Sequence, residues 1–186
     1  MLTKLLGASL LLLACHASFT ASADINQALQ HEARTEANKL RDAVRKPEQT
    51  LTFFEVTPQS TVVEIWPGSG WYTEVLAPLL AEQGKLYAAH FSDKFSLLPA
   101  DYMQKGLANY HNKLASHPIY KNVTVTEFAP LAGIDIAPIG SADVVLSIRN
   151  QFYIFDGETS LKHALANFYR ALKPGGMLGV VAPRLP

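Results

Sequence analysis

Apolar residues along this chain fall into two rhythms. Short β-branched or apolar runs recur at Thr61–Ile65 (TVVEI), Lys85–Ala89, Val123–Phe128, Ala142–Ile148 and Met177–Val181, the pattern of strands buried on both faces. Between them, apolar positions return at helical spacing: Tyr72, Val75, Leu76, Leu79 and Leu80; then Met103, Leu107, Tyr110 and Leu114; then Leu161, Ala164, Leu165, Phe168, Tyr169 and Leu172. Thr159 or Ser160 is expected to cap the last of these helices, and Lys173-Pro174-Gly175-Gly176 to stop it. Residues 129–141, with their prolines and glycines, read as a loop. Strands alternating with helices imply right-handed crossovers and a mostly parallel sheet of about five strands, an α/β doubly wound, Rossmann-like architecture.

Ahead of the first strand, residues 24–58 read as a helical cover. Asp24 is a candidate N-cap, and a polar helix with Ile25, Ala28, Leu29 and Ala33 on one stripe is expected to continue through Ala43. Lys46-Pro47 breaks it, and Pro47 suits the first turn of a short helix through Phe54. Arg34, Arg41, Asp42, Arg45 and Lys46 gather charge here. The plain reading is a solvated face; the sharper one is an arginine reaching a ligand carboxylate from above.

Between the first strand and its helix stands Trp66-Pro67-Gly68-Ser69-Gly70. A strand, a glycine turn and a helix place free N–H groups and a helix dipole on one small volume, which suits a nucleotide-like ligand. A dinucleotide fingerprint needs a third glycine where Thr73 stands, so a nicotinamide enzyme is disfavoured. Glu64, Gly68 and Gly70 instead resemble motif I of class I S-adenosylmethionine-dependent methyltransferases, E/D-x-G-x-G-x-G, with Trp66 in place of the first glycine. Ser141-Ala142-Asp143-Val144-Val145-Leu146 resembles that family's fourth strand, and Leu172-Lys173-Pro174-Gly175-Gly176 its turn before strand five.

That resemblance implies S-adenosylmethionine as cofactor and methylation of a small-molecule acceptor; the alternative is a relative that kept the fold and lost turnover. Ligands of such sheets sit beyond the carboxyl ends of the strands. The implied cofactor-binding residues are therefore Glu64, Trp66, Pro67, Gly68, Ser69, Gly70, His90, Glu127, Arg149 and Asn150, with Tyr153 and Asp156 as candidates for an acceptor pocket. His90 falls where the family carries a ribose-binding acid, with Asp93 nearby, and Ala129 falls where it often carries an adenine-binding aspartate. No catalytic residue is singled out. The family's sixth and seventh strands are expected to be missing, because the chain stops at Pro186; a truncated gene product, or a partner or second copy covering that edge, would account for this.

Composition trims the alternatives. The chain has 186 residues, 48% of them hydrophobic, with 16 basic and 16 acidic side chains, so one packed domain is expected and a basic nucleic-acid surface is not. His111, His117 and His163 lack metal-ligand spacing. Residues 1–23 carry Lys4, the apolar run Leu5–Ala14 and Ala21-Ser22-Ala23, the pattern of a signal peptide cleaved after Ala23. Leu12-Leu13-Ala14-Cys15 alternatively resembles a lipobox, with Cys15 as membrane anchor. Either reading predicts an exported, periplasmic protein, and the chain looks like a group of signal-peptide-bearing methyltransferases.

Overall fold

The computed structural model describes residues 24–94, 98–150, 154 and 157–183. The expected leader with Cys15 lies outside these residues, as do Tyr153 and Asp156.

Four short helices come first: α1 (24–29), α2 (Glu36–Lys39), α3 (Asp42–Arg45) and α4 (Pro47–Phe53). Then follow β1 (Thr61–Ile65), α5 (Thr73–Leu80), β2 (Lys85–Phe91), α6 (Ala100–Ala115), β3 (Val123–Phe128), β4 (Ala142–Ile148), α7 (Gly157–Ala171) and β5 (Leu172–Val181). The strands form one sheet in the order β3-β2-β1-β4-β5, every neighbouring pair parallel. This is the expected Rossmann-like architecture. The order reverses between β1 and β4, and such a switch point opens a crevice beyond the strand ends.

Side-chain alternation sends consecutive β1 residues to opposite cores. Val62 packs with Leu51, Phe54, Val75, Leu76 and Leu79 on one face. Val63 and Ile65 pack with Ala89, Met103, Phe128 and Phe168 on the other. Both valines are fully buried, each contributing about 1.5–3 kcal/mol relative to exposure.

Three boundaries differ from the sequence expectation. The cover is not one helix through Ala43. Leu29 O and Ala33 N would bond each other in a continuing helix, but Arg34 Nη1 takes the carbonyl at 2.9 Å and His31 Nδ1 takes the amide at 3.1 Å. Side chains thus replace the next helical turn. Thr159 and Ser160 do not cap α7, which is already helical at Gly157; the Ser160 hydroxyl donates to Ile154 O at 2.6 Å. Finally, β5 begins before the Pro-Gly-Gly turn. Leu172 pairs with Ala142, and pairing resumes at Val144 with Met177, so residues 173–176 bulge out of the ladder.

Candidate functional site

The glycine turn leaves the carboxyl end of β1. Trp66 extends the β1–β2 pairing by donating its amide to Ala89 O at 2.8 Å, and then turns left-handed, with φ 45°. A non-glycine residue in that region costs about 1–2 kcal/mol, which explains glycine as the usual choice at this motif position. The tryptophan is held by its ring. It is buried, Nε1 donates to Phe128 O at 3.1 Å, and the ring lies 5.3 Å from Phe91 and 5.7 Å from Phe128. The Trp66 ring thus packs into the core between β2 and β3.

Pro67 to Gly70 close a tight turn, Gly70 N–H donating to Pro67 O at 2.9 Å. Gly68 (φ 60°) and Gly70 (φ 78°) supply the left-handed conformations it needs. Their surroundings differ. A Cβ on Gly68 would meet nothing within 4 Å, whereas one on Gly70 would lie 2.8 Å from Lys113 Cδ and 3.1 Å from Tyr110 Cε2. Gly68 and Ser69 are exposed, Pro67 is half-buried, and Gly70 lies beneath α6.

Glu64 is buried on β1, and burial pushes its carboxyl up to about 7, against the pull of hydrogen bonds from Thr73. Thr73 Oγ1 donates to Glu64 Oε2 at 2.7 Å and meets Tyr110 Oη at 3.0 Å. The acid thus braces the start of α5, immediately after the turn. His90, at the end of β2, is fully buried. Its Nδ1 accepts the Phe91 amide at 2.8 Å, so Nε2 carries the proton and donates to Gly68 O at 3.2 Å. Burial lowers this imidazole to about 4, leaving it neutral. Asn150 ties the switch point together: Nδ2 donates to Ile65 O at 2.6 Å, and Oδ1 accepts from Ser147 Oγ at 2.7 Å. Its neighbour Arg149 is exposed and left-handed (φ 58°), with its amide donating to Val181 O at 2.8 Å.

Glu127 stands apart from this group. It pairs in register with His90, accepts from Ser92 Oγ at 2.8 Å, and lines a cavity of about 530 Å³ beyond β2 and β3. Phe91, Asp93, Met103 and Leu107 also line that cavity; Glu64, the turn, Arg149 and Asn150 do not. The structure therefore gathers the expected residues at two adjoining places, the turn at the switch point and the cavity beside it. Among the described residues, no group of three or more His, Cys, Asp or Glu side chains is placed to hold a metal ion.

Sequence reasoning did not assign α6 to the site. Its apolar stripe held the signal: Met103 and Leu107 line the cavity, and Tyr110, seven and three residues on along the same face, meets Thr73 and His90. Lys113, one turn on, is ion-paired to the fully buried Glu74. Neither partner had a sequence signal.

Above the turn, Trp71 is buried and donates Nε1 to Asn38 O at 3.1 Å. The guanidinium of Arg45 lies 4.7 Å and that of Arg34 5.6 Å from its ring centroid. Arg34 is buried and forks onto Asp42 at 2.7 and 2.8 Å.

The fold resembles several solved structures. A SAM dependent methyltransferase from Aquifex aeolicus aligns with a TM-score of 0.55 and 22% identity, over 86% of this chain and 71% of that one. The CcbJ methyltransferase from Streptomyces caelestis gives 0.53 and 19%, over 72% of this chain and 47% of that one. The [4+2]-cyclase SpnF gives 0.56 and 14%, over 81% and 48%. This chain thus spans about half the length of the last two. No protein-family model and no curated protein sequence matches it. The likeness is one of architecture: the chain folds as the Rossmann-like sheet of class I methyltransferases.

Proposed function

We propose that this protein binds S-adenosylmethionine at the carboxyl ends of β1, β2 and β4 and transfers its methyl group to a small-molecule acceptor. The observation that carries the reading is the glycine turn at the switch point of the parallel sheet, with Gly68 open and exposed where a ligand would approach.

The residues present fit such a ligand in two respects. Gly68 offers an exposed backbone ahead of α5 without an obstructing side chain. Beside it, the cavity lined by Phe91 sets an apolar floor against the carboxylates of Asp93 and Glu127, acceptors suited to sugar hydroxyls. When bound, S-adenosylmethionine would supply an electrophilic methyl carbon to an acceptor nucleophile. The chain's own contribution is orientation and exclusion of water, which can supply much of such a rate. Glu64 and Thr73 fix the start of α5, Asn150 fixes β4 against β1, and His90 fixes the turn itself. His90, neutral with both ring nitrogens engaged, acts as a positioning residue.

One feature favours the second reading, a binding protein without turnover. His90 stands where the family carries a ribose-binding acid, and it faces the turn. Calorimetric titration with S-adenosylmethionine, beside a Gly68→Trp variant, tests the first claim. Binding lost in the variant supports the placement; a folded protein that binds nothing overturns it. Binding with no methyl transferred to any of a panel of small nucleophiles favours the second reading.

We also propose export, on the pattern of residues 1–23 alone. Cell fractionation tests it, and a protein retaining Met1 in the cytosol would contradict it.

A further inference from the structure

Two histidines from distant parts of the chain meet where the cover joins the body of the fold. His31 stands in the turn after α1, and His117 follows α6. Their ring centroids are 5.6 Å apart, with the planes nearly perpendicular at 88°. Each ring makes the same local bond. Nδ1 of His31 accepts the amide of Ala33, and Nδ1 of His117 accepts the amide of Ile119, both at 3.1 Å. The first bond stands in for the next turn of α1; the second caps the 3-10 turn Pro118–Asn122. Tyr120, within that turn, donates its hydroxyl to Ala33 O at 3.1 Å, so the two histidine-closed turns are also bonded to each other.

Both bonds require neutral rings. With Nδ1 accepting, each imidazole carries its proton on Nε2, and neither has a lone pair left for a metal. Protonation puts an N–H where each acceptor stands, opposite an amide N–H, and sets two cations against each other. Burial, then the charge of His117, lower His31 from 6.5, while Glu32 raises it. The surrounding acids offset that repulsion weakly. Glu32 Oε1 lies 3.5 Å from His117 Nε2, but its side chain is 86% exposed. Asp24, half-buried, and Glu82, exposed, line with His31 a cavity of about 350 Å³ between α1 and the end of α5. Lys121, on the 3-10 turn, adds a further positive charge. The other cations on these segments, Arg34 and Lys113, are held by Asp42 and Glu74.

We propose that His31 and His117 form an acid-released latch that fastens the cover to the body of the fold while both rings are neutral. Pro58 and Gln59, just ahead of β1, line the same cavity as His31, so the latch lies at the amino ends of the strands, away from the glycine turn. As pH falls below 6.5, the opened cover binds a proton at His31 that the latched cover excludes, and the turn at 30–34 loosens. That turn leads into α2, whose Asn38 carbonyl receives Trp71 Nε1.

Hydrogen exchange of the whole protein, followed by mass spectrometry at pH 7.5 and 5.5 and corrected for the intrinsic chemical rate, reads the latch. Protection across residues 30–46 should fall about tenfold further than that of β1 and β4. In His31→Asn/His117→Asn a side-chain oxygen accepts each amide and does not titrate, so the extra fall should vanish. Circular dichroism checks that this variant folds. If it does not, the single His117→Asn decides: asparagine is a favoured cap and removes one of the two charges, so the extra fall should shrink. Cover and sheet losing protection equally in the wild type, or an undiminished extra fall in the asparagine variants, would overturn the proposal.

Discussion

The imidazole of His90 donates to the carbonyl oxygen of Gly68 across 3.2 Å, joining the end of β2 to the exposed face of the glycine turn. The donor is fixed by its other nitrogen, which accepts the amide of Phe91 at 2.8 Å. A backbone carbonyl in an irregular turn has no ladder partner, and a buried ring supplies one.

Replacing His90 with Leu should destabilise the protein by about 1–3 kcal/mol, the usual consequence of leaving a buried polar group unmatched. The effect should depend on pH. Burial lowers the histidine from 6.5 to about 4, so between those values the unfolded chain holds a proton that the folded chain does not. Wild-type stability therefore falls as pH drops from 6.5 toward 4, and His90→Leu lacks that slope. Urea denaturation at pH 7 and pH 4.5 checks this; a gap between the two proteins that stays constant would contradict it.

Glu64 gives the opposite slope. Its carboxyl is raised from 4.5 to about 7, so the folded state holds the extra proton and stability declines as pH rises through that window. Glu64→Gln mimics the protonated acid. It should be near neutral at pH 5 and stabilising at pH 8, by at most about 3 kcal/mol. Thermal melts at the two pH values decide it, and equal effects at both would show that Glu64 is ionised throughout.

The two glycines of the turn should separate ligand binding from folding. Gly68→Ala adds only left-handed strain, about 1 kcal/mol, because its Cβ meets nothing within 4 Å. Gly70→Ala carries the same strain plus contact with Lys113 and Tyr110, so it should be the more destabilising of the two. Gly68→Trp should reduce S-adenosylmethionine binding far more than it lowers the melting temperature. Calorimetry and melting curves on the same three variants test the separation.

Removing Asp42 should be costly for a surface-facing residue. Arg34 is completely buried at its side chain, and Asp42 is its charge partner. Asp42→Ala leaves an unpaired buried guanidinium, expected to cost about 3–5 kcal/mol. Arg34→Met/Asp42→Ala should recover much of that loss, measured by equilibrium denaturation. A double variant no more stable than the single would show that the pair itself, and not the orphaned charge, matters.

The sheet was legible because period-two burial and β-branched composition leave direct traces in a linear sequence, as at Val62 and Val63. The glycine turn was legible because left-handed backbone restricts residue choice, although Trp66 occupies such a position through packing that no local pattern announces. Glu64, His90 and Asn150 were expected near the carboxyl ends of the strands and lie there; their partners Thr73, Gly68 O and Ile65 O were not foreseen, because hydrogen bonds between distant segments have no spacing signature. The same holds for Arg34. Its charge argued for solvent, but the two-pronged bond to Asp42 and the carbonyl of Leu29 allow burial and end the first helix early. Short polar helices whose breaks are made by side chains are the hardest elements to foresee.

The bond from Asn150 to Ile65 O closes a loop of 85 residues. Closing so long a loop is entropically unfavourable until β4 has docked beside β1. During folding the nascent turn therefore waits, without this brace, for a strand that begins at Ala142, 81 positions after β1 begins at Thr61. On a ribosome, the braced turn should thus appear as a late step, after Asn150 has emerged, and not when the glycine turn itself is made.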